Sequence, residues 1–185
     1  MILVLEGSNC VGKTTITKEL HNLGWLVIHF PTSSNPEYYE KEIYNHPEFN
    51  NNYGILFRKT FNQDYAYQDI AVNLPWIEKL NKNVVIDRCY LSNIIYRSIE
   101  ENMPVNLHLR KLTDHPTIIL TANDNNIILE RFKNRKKEEF SDMKTYEKIS
   151  KANELFKQAL GYQIIIDGLT TAELLARVRN FVHAD

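Results

Sequence analysis

The sequence predicts an α/β protein, a five-stranded parallel sheet with helices on both faces. Three observations predict it. Short runs rich in Val, Ile and Leu recur at Met1–Leu5, Trp25–Phe30, Val84–Asp87, Thr117–Thr121 and Tyr162–Asp167, as in strands buried on both faces. Segments with apolar residues three to four apart separate them, which is the helical period. Strand and helix thus alternate along the chain, the pattern of a parallel sheet with right-handed crossovers.

The elements follow in order. After the first strand, Ile16–Leu23 has helical spacing and Gly24 stands at its C-cap. Pro31 ends the second strand, a polar loop covers Thr32–Pro36, and Glu37–Tyr44 reads as a short helix. Asn50–Asn52 marks a break or a helix start. From Ile55 to about Leu80 an aromatic-rich stretch predicts a long helix bent near Pro75. Leu91–Glu101 is a helix after the third strand, and Pro104–Thr113 a shorter one. After the fourth strand, Asn123 or Asp124 caps a helix through Arg131. A charged segment, approximately 133–143, has little apolar content and suits a lid. Lys144–Leu160 is helical with Gly161 as its stop. The last helix, Thr171–Val182, has Thr170 as N-cap with Glu173 three residues on.

A chain of 185 residues suits one domain with a substantial core, and no repeat or linker divides it. The net charge of −1 gives no argument for polymeric nucleic acid or an anionic membrane as partner. No apolar run approaches the length of a membrane span. The first strand starts at the N-terminus, leaving no room for a targeting peptide, and the two cysteines, Cys10 and Cys89, give no disulfide framework. A reduced, cytoplasmic setting is expected. The six histidines are scattered, without metal-ligand spacing.

The strongest chemical signal is Gly7-Ser8-Asn9-Cys10-Val11-Gly12-Lys13-Thr14-Thr15, with the spacing G-x-x-x-x-G-K-[ST] of a phosphate-binding P-loop. Its fixed positions coincide by chance in roughly one chain in a hundred of this length, and here a strand precedes and a helix follows. Gly7 and Gly12 let the backbone turn its N–H groups toward phosphate oxygens, the helix N-terminus adds partial positive charge, Lys13 reaches the β and γ phosphates, and Thr14 is placed to ligate Mg²⁺. The chain is therefore expected to bind a nucleoside triphosphate. Cys10 inside this loop is read as a tolerated small residue.

Val84-Val85-Ile86-Asp87-Arg88 closes a buried strand with an acid and a base, both expected beside the P-loop. Asp87 suits a metal-holding acid and Arg88 a bidentate phosphate clamp; a surface ion pair is the plainer alternative. In Arg131-Phe132-Lys133-Asn134-Arg135-Lys136-Lys137, five of seven residues are basic. Arg131 and Arg135 share a helix face and suit a transferring phosphoryl group, although Glu138 and Glu139 support a merely solvated face. In the aromatic middle, Phe57, Phe61, Tyr65, Tyr67 and Trp76 fit core packing, while Tyr65, Tyr67 and Gln68 can stack on and hydrogen-bond a base.

These segments together resemble the thymidylate kinases among the P-loop nucleoside monophosphate kinases. Leu5-Glu6-Gly7 through Thr15 is similar to E-G-x-x-x-x-G-K-[ST]-T. Phe30-Pro31-Thr32-Ser33-Ser34 resembles an F-P-x-x-[ST] loop, and Asp87-Arg88 with Ser92 and Tyr96 resembles D-R-Y-x-x-S-x-x-[AG]-[YF]. Arg131, Arg135 and the helix from Tyr146 to Leu160 resemble the lid region. The resemblance implies a P-loop NTPase-type fold, with ATP and Mg²⁺ as cofactors held by the P-loop residues, Thr14 and Asp87. It implies Lys13, Asp87, Arg88, Arg131 and Arg135 as catalytic groups. It places Phe30, Pro31, Phe57, Tyr65, Gln68, Arg88, Ser92 and Tyr96 about the acceptor, with small nucleotides as partners and a homodimer as assembly. The expected reaction is ATP-dependent phosphorylation of a deoxynucleoside monophosphate, dTMP foremost.

The chain departs from the family at four places. Asn9-Cys10 carries no charge where an acid, sometimes followed by a base, is usual, which leaves the lid arginines to supply positive charge. His29 replaces an arginine at the second strand's end, Cys89 replaces the tyrosine of D-R-Y, and Gln68 and Asp69 stand where an arginine meets thymine. These departures leave the acceptor base open. A deoxynucleoside kinase, with Glu6 or Asp87 as base, remains an alternative; a polynucleotide 5′-kinase and an ATP-dependent switch are further ones.

Overall fold

The computed structural model describes residues 1–29, 74–75, 77–105, 114–134, 143–159, 163–167 and 171–182. Strand β1 (Ile2–Gly7) leads through the glycine loop to helix α1 (Lys13–Asn22), then β2 (Leu26–His29). Next come β3 (Val84–Asp87), α2 (Tyr90–Glu101), β4 (Thr117–Ala122) and α3 (Asn125–Asn134). Helix α4 (Met143–Lys157), β5 (Gln163–Asp167) and α5 (Thr171–Val182) follow, and residues 74–75 and 77–78 are also helical. The five strands form one sheet in the order β2-β3-β1-β4-β5, and every neighbouring pair is parallel.

Both faces of the sheet are covered. On one, Leu3, Leu5, Val85 and Leu120 share a buried cluster with Ile16 and Leu20 of α1, Phe132 of α3 and Val178 of α5. On the other, Ile2, Val4 and Ile86 pack with Ile77 and Tyr90, and Ile119 packs with Ile95 of α2 and Phe156 of α4. Two-sided burial is why these strands are apolar without alternation.

Because the strands are parallel, Gly7, Asp87 and Ala122 all emerge at one edge of the sheet. Asp87 lies in register with Leu5 on β1 and with His29 on β2. Such carboxyl edges are where open α/β sheets bind ligands. Helix α1 stops at the expected glycine: Gly24 has φ 86° and donates to His21 O at 2.8 Å, while Trp25 N donates to Leu20 O at 3.0 Å.

Several boundaries differ from the sequence reading. Helix α1 begins at Lys13 rather than Ile16, because Lys13–Thr15 form its polar first turn, a stretch without an apolar marker. Strand β2 is Leu26–His29, and α2 starts one residue early, at Tyr90. Lys133 and Asn134, assigned to the lid, form the exposed last turn of α3, and Met143 starts α4. Phe132 anchors that turn: it is buried, with its ring 6.1 Å from that of Tyr146 on α4. The expected loop at 32–36, the helix at 37–44, and most of the helix at 104–113 and of the long helix at 55–80 lie outside the described residues; Pro104 and Val105 are not helical.

Candidate active site

The P-loop is built from backbone. Gly7 ends β1 in register with Leu120 of β4, and a Cβ on it would lie 2.3 Å from Leu120 O, so no side chain fits there. Gly12 (φ 101°) is the N-cap of α1 and offers no side-chain acceptor, so no side chain of the cap stands between the helix N-terminus and an anion. Cys10 and Val11 turn their side chains into the core, and Ser8 is buried with its hydroxyl donating to Asn9 O at 3.1 Å. Lys13 is only 6% exposed, and its Nζ donates to Gly7 O at 2.8 Å and Ser8 O at 2.5 Å. Thr14 and Thr15 are exposed on the first turn of α1.

Arg88 stands at the β3–α2 corner, 4% exposed and in the left-handed region at φ 71°. For a residue of its bulk that conformation costs about 1–2 kcal/mol. The guanidinium reaches Gly7 O at 3.3 Å and Ser92 Oγ at 3.5 Å, and donates to Asn9 Oδ1. It also lies 5.1 Å from the centre of the Tyr96 ring. Gly7 O therefore accepts from both Lys13 and Arg88, so the two cations converge on one carbonyl at the start of the loop. Tyr96 closes the arrangement: its hydroxyl accepts from Asn9 N at 3.1 Å.

Beneath this corner lies Glu6, 1% exposed. Its Oε1 accepts from the N–H groups of Cys89, Leu91 and Ser92 at 3.0, 3.1 and 3.3 Å, and its Oε2 accepts from the Ser92 hydroxyl. Burial pushes the Glu6 carboxyl above the usual range, while the Ser92 bonds, the Arg88 charge and the Cys89 N–H pull it back. Burial, then the neighbouring Glu6, holds the Cys89 thiol far above its ordinary value, so Cys89 stays protonated and unreactive.

Arg131 approaches the loop from α3. Its guanidinium donates to Cys10 O at 3.1 Å, which brings a second arginine to the P-loop backbone. The start of α3 is fixed by Asp124, whose Oδ1 accepts from Asn126 N at 2.9 Å, and by Asn153 of α4. Asn153 is fully buried; it accepts from Ala122 N at 2.9 Å and donates to Ala122 O at 3.0 Å and Asn125 Oδ1 at 3.2 Å.

Of the sequence-predicted groups, the structure brings together Gly7, Ser8, Asn9, Lys13, Arg88, Ser92, Tyr96 and Arg131, with Asp87 buried at the end of β3. Ser92, expected about the acceptor, is fully buried, and its hydroxyl donates to Glu6. Phe30, Pro31, Phe57, Tyr65, Gln68 and Arg135 lie outside the described residues. Two anchors escaped the sequence reading, Asn153 and the structural part of Glu6. A charged residue ending an otherwise apolar strand was the available signal for Glu6, since a buried charge demands partners. Asn153 left no signal.

A parallel α/β sheet with a glycine loop, a lysine turned onto that loop, one arginine at a strand end and another from helix α3 defines a P-loop nucleotide kinase. The thymidylate kinase family model matches residues 5–177, and the chain belongs to that family. It is accordingly an enzyme of the nucleoside monophosphate kinase class. Solved structures agree on the fold. A deoxyadenosine kinase from M. mycoides is 18% identical with TM-score 0.64, the match covering 100% of both chains. The thymidylate kinase from Candida albicans is 16% identical with TM-score 0.62, covering 99% of this chain and 91% of that one. The YorR protein from Bacillus subtilis is 17% identical with TM-score 0.59, covering 98% and 95%. No curated protein sequence matches the chain.

Proposed function

We propose that the enzyme transfers the γ-phosphoryl group of ATP to a deoxynucleoside monophosphate, with dTMP the leading acceptor and dTDP the product. The observation that carries this reading is the convergence of Lys13 and Arg88 on Gly7 O. One cation belongs to the donor loop and the other to the neighbouring strand end, so donor and acceptor phosphates can meet between them. Catalysis is then positioning and charge neutralisation, with no covalent intermediate. Arg131, tied to the loop at Cys10 O, adds positive charge where Asn9 and Cys10 carry none.

Oxygen donors suited to Mg²⁺ are at hand in the exposed hydroxyl of Thr14 and the carboxyl of Asp87. When bound, the ion would neutralise phosphate charge. Arg135 is proposed to join Arg131 at the lid, within a single domain spanning residues 1–185. Support for a phosphate acceptor over a sugar hydroxyl comes from Glu6: both its oxygens are engaged at the α2 N-terminus, so it is not placed to act as a base. Solved relatives of the fold carry deoxynucleotides, among them a deoxyadenosine kinase described with dCMP and dCDP, and the Candida albicans thymidylate kinase is described as broad in substrate specificity.

A coupled ADP-release assay over dTMP, the other nucleoside monophosphates and thymidine tests the reading. Turnover with a deoxynucleoside monophosphate, highest with dTMP, is the expected result. Turnover confined to nucleosides, or ATP hydrolysis indifferent to any acceptor, would overturn it.

A further inference from the structure

We propose that Glu6 is a positioning residue that sets Arg88 for phosphoryl transfer by capping α2 from β1. The N-cap residue of α2, Cys89, makes no side-chain capping bond, so the first N–H groups of that helix need an acceptor from elsewhere. Glu6 supplies it, with one carboxyl oxygen shared by the N–H groups of Cys89, Leu91 and Ser92. Arg88 sits directly before this capped turn, in a backbone conformation that its surroundings must enforce.

The bonds that enforce it come from consecutive residues of β1. Arg88 N donates to Leu5 O at 2.9 Å, and Cys89 N donates to Glu6 Oε1 at 3.0 Å. The next residue of β1 is Gly7, whose carbonyl receives the Arg88 guanidinium. Leu5, Glu6 and Gly7 thus hold the backbone on both sides of Arg88 and one end of its side chain. Ser92 links the two charged groups, donating to Glu6 Oε2 and lying 3.5 Å from the guanidinium. A shift of the corner would move Arg88 relative to Lys13, because both meet the same carbonyl.

The proposal rests on the phosphate-facing role of Arg88 given above, and its test has one arm that needs no substrate. In ligand-free protein, the Arg88 Nε–H resonance, assigned by its loss in Arg88→Ala, and the amide exchange of Cys89, Leu91 and Ser92 are followed by NMR. Glu6→Ala is expected to broaden or shift the arginine signal and to speed exchange at these three amides. Glu6→Gln, which keeps a carbonyl acceptor, should restore both, and Ser92→Ala should shift the arginine signal alone. The kinetic arm is a double-mutant cycle on the best acceptor: Glu6→Ala should cut kcat on the order of a hundredfold in the wild-type background and change it less than threefold in Arg88→Ala.

An unchanged arginine resonance in Glu6→Ala, or in Ser92→Ala where Glu6→Ala does not fold, overturns the proposal whatever the acceptor. So does an equal loss from Glu6→Ala in both backgrounds. If the substrate panel yields no monophosphate turnover while the NMR arm gives the expected changes, the functional reading fails and the positioning of Arg88 by Glu6 stands.

Discussion

Two strand-to-helix corners face the P-loop, and they are held in opposite ways. At the β3–α2 corner the helix is capped by Glu6, a buried carboxyl contributed by another strand, and the arginine lies in the turn itself. At the β4–α3 corner the helix is capped by Asp124, exposed and two residues from its partner, and the arginine lies further along the helix. The first corner gives Arg88 little freedom: a left-handed backbone, a buried guanidinium and an aromatic face beside it. Arg131 is half-buried and reaches the loop at Cys10 O. A cation fixed like Arg88 suits a phosphate that must be oriented.

The largest expected effect breaks the rigid corner. Arg88→Ala, like Lys13→Ala, should reduce kcat on the order of a hundredfold or more, measured by coupled ADP release. Near-normal turnover in either would show that the convergence on Gly7 O has no catalytic consequence.

The second effect lies at the other corner. Asn153→Ala removes three hydrogen bonds, two of them buried, and should cost about 2 kcal/mol in urea unfolding. Its loss of kcat should be much smaller than that of Arg88→Ala, since it acts on the start of α3 and only through it on Arg131. A loss of kcat as large as that of Arg88→Ala would mean that the corners do not differ.

The pH dependence of stability separates the two caps by sign. The Glu6 carboxyl is held above its unfolded value chiefly by burial, so the native state takes up its proton more readily than the unfolded chain. Its contribution is full below the usual carboxylate range and is lost as the pH rises through the folded value. The Tm of the wild type should therefore fall relative to Glu6→Gln on going from acid toward neutral pH. Asp124 runs the other way. Its carboxyl is held low by the Asn126 N–H first and the Asn126 side chain second, so its contribution is present above the usual range and lost as the pH falls through the folded value. Asp124→Ala is the smallest change expected, lowering Tm by about 2 °C near neutral pH and less in acid. Thermal melts across the acid range check both signs.

The same contrast explains what the sequence disclosed. The strands, their parallel arrangement and the P-loop were legible because each rests on local pattern: apolar runs, helical period and fixed glycine spacing. Asp124 was legible for the same reason, as a capping residue next to its helix. Glu6 was visible as part of a motif and as a candidate base, and its work at α2 was not, because its partners there lie 83 to 86 residues away. Asn153 sits in an ordinary helical stretch and acts across 31 residues on Ala122, so nothing near it marks the bond. Arg88 was legible as a cation at a strand end, but its left-handed backbone and its contact with Tyr96 belong to packing between elements. Helix α3 runs on to Asn134, past the expected start of the charged segment, because the helical period fades where its last buried residue, Phe132, is followed by polar ones.

The most direct test of Arg88 as the cation facing the acceptor phosphate is calorimetric binding of dTMP and thymidine to the wild type and to Arg88→Ala. The monophosphate should bind the wild type at least about tenfold more tightly than the nucleoside, as a charge-assisted guanidinium–phosphate contact provides, and Arg88→Ala should erase that difference while leaving thymidine binding unchanged. Equal binding of the two ligands by the wild type, or a preference for dTMP that survives in Arg88→Ala, would contradict it.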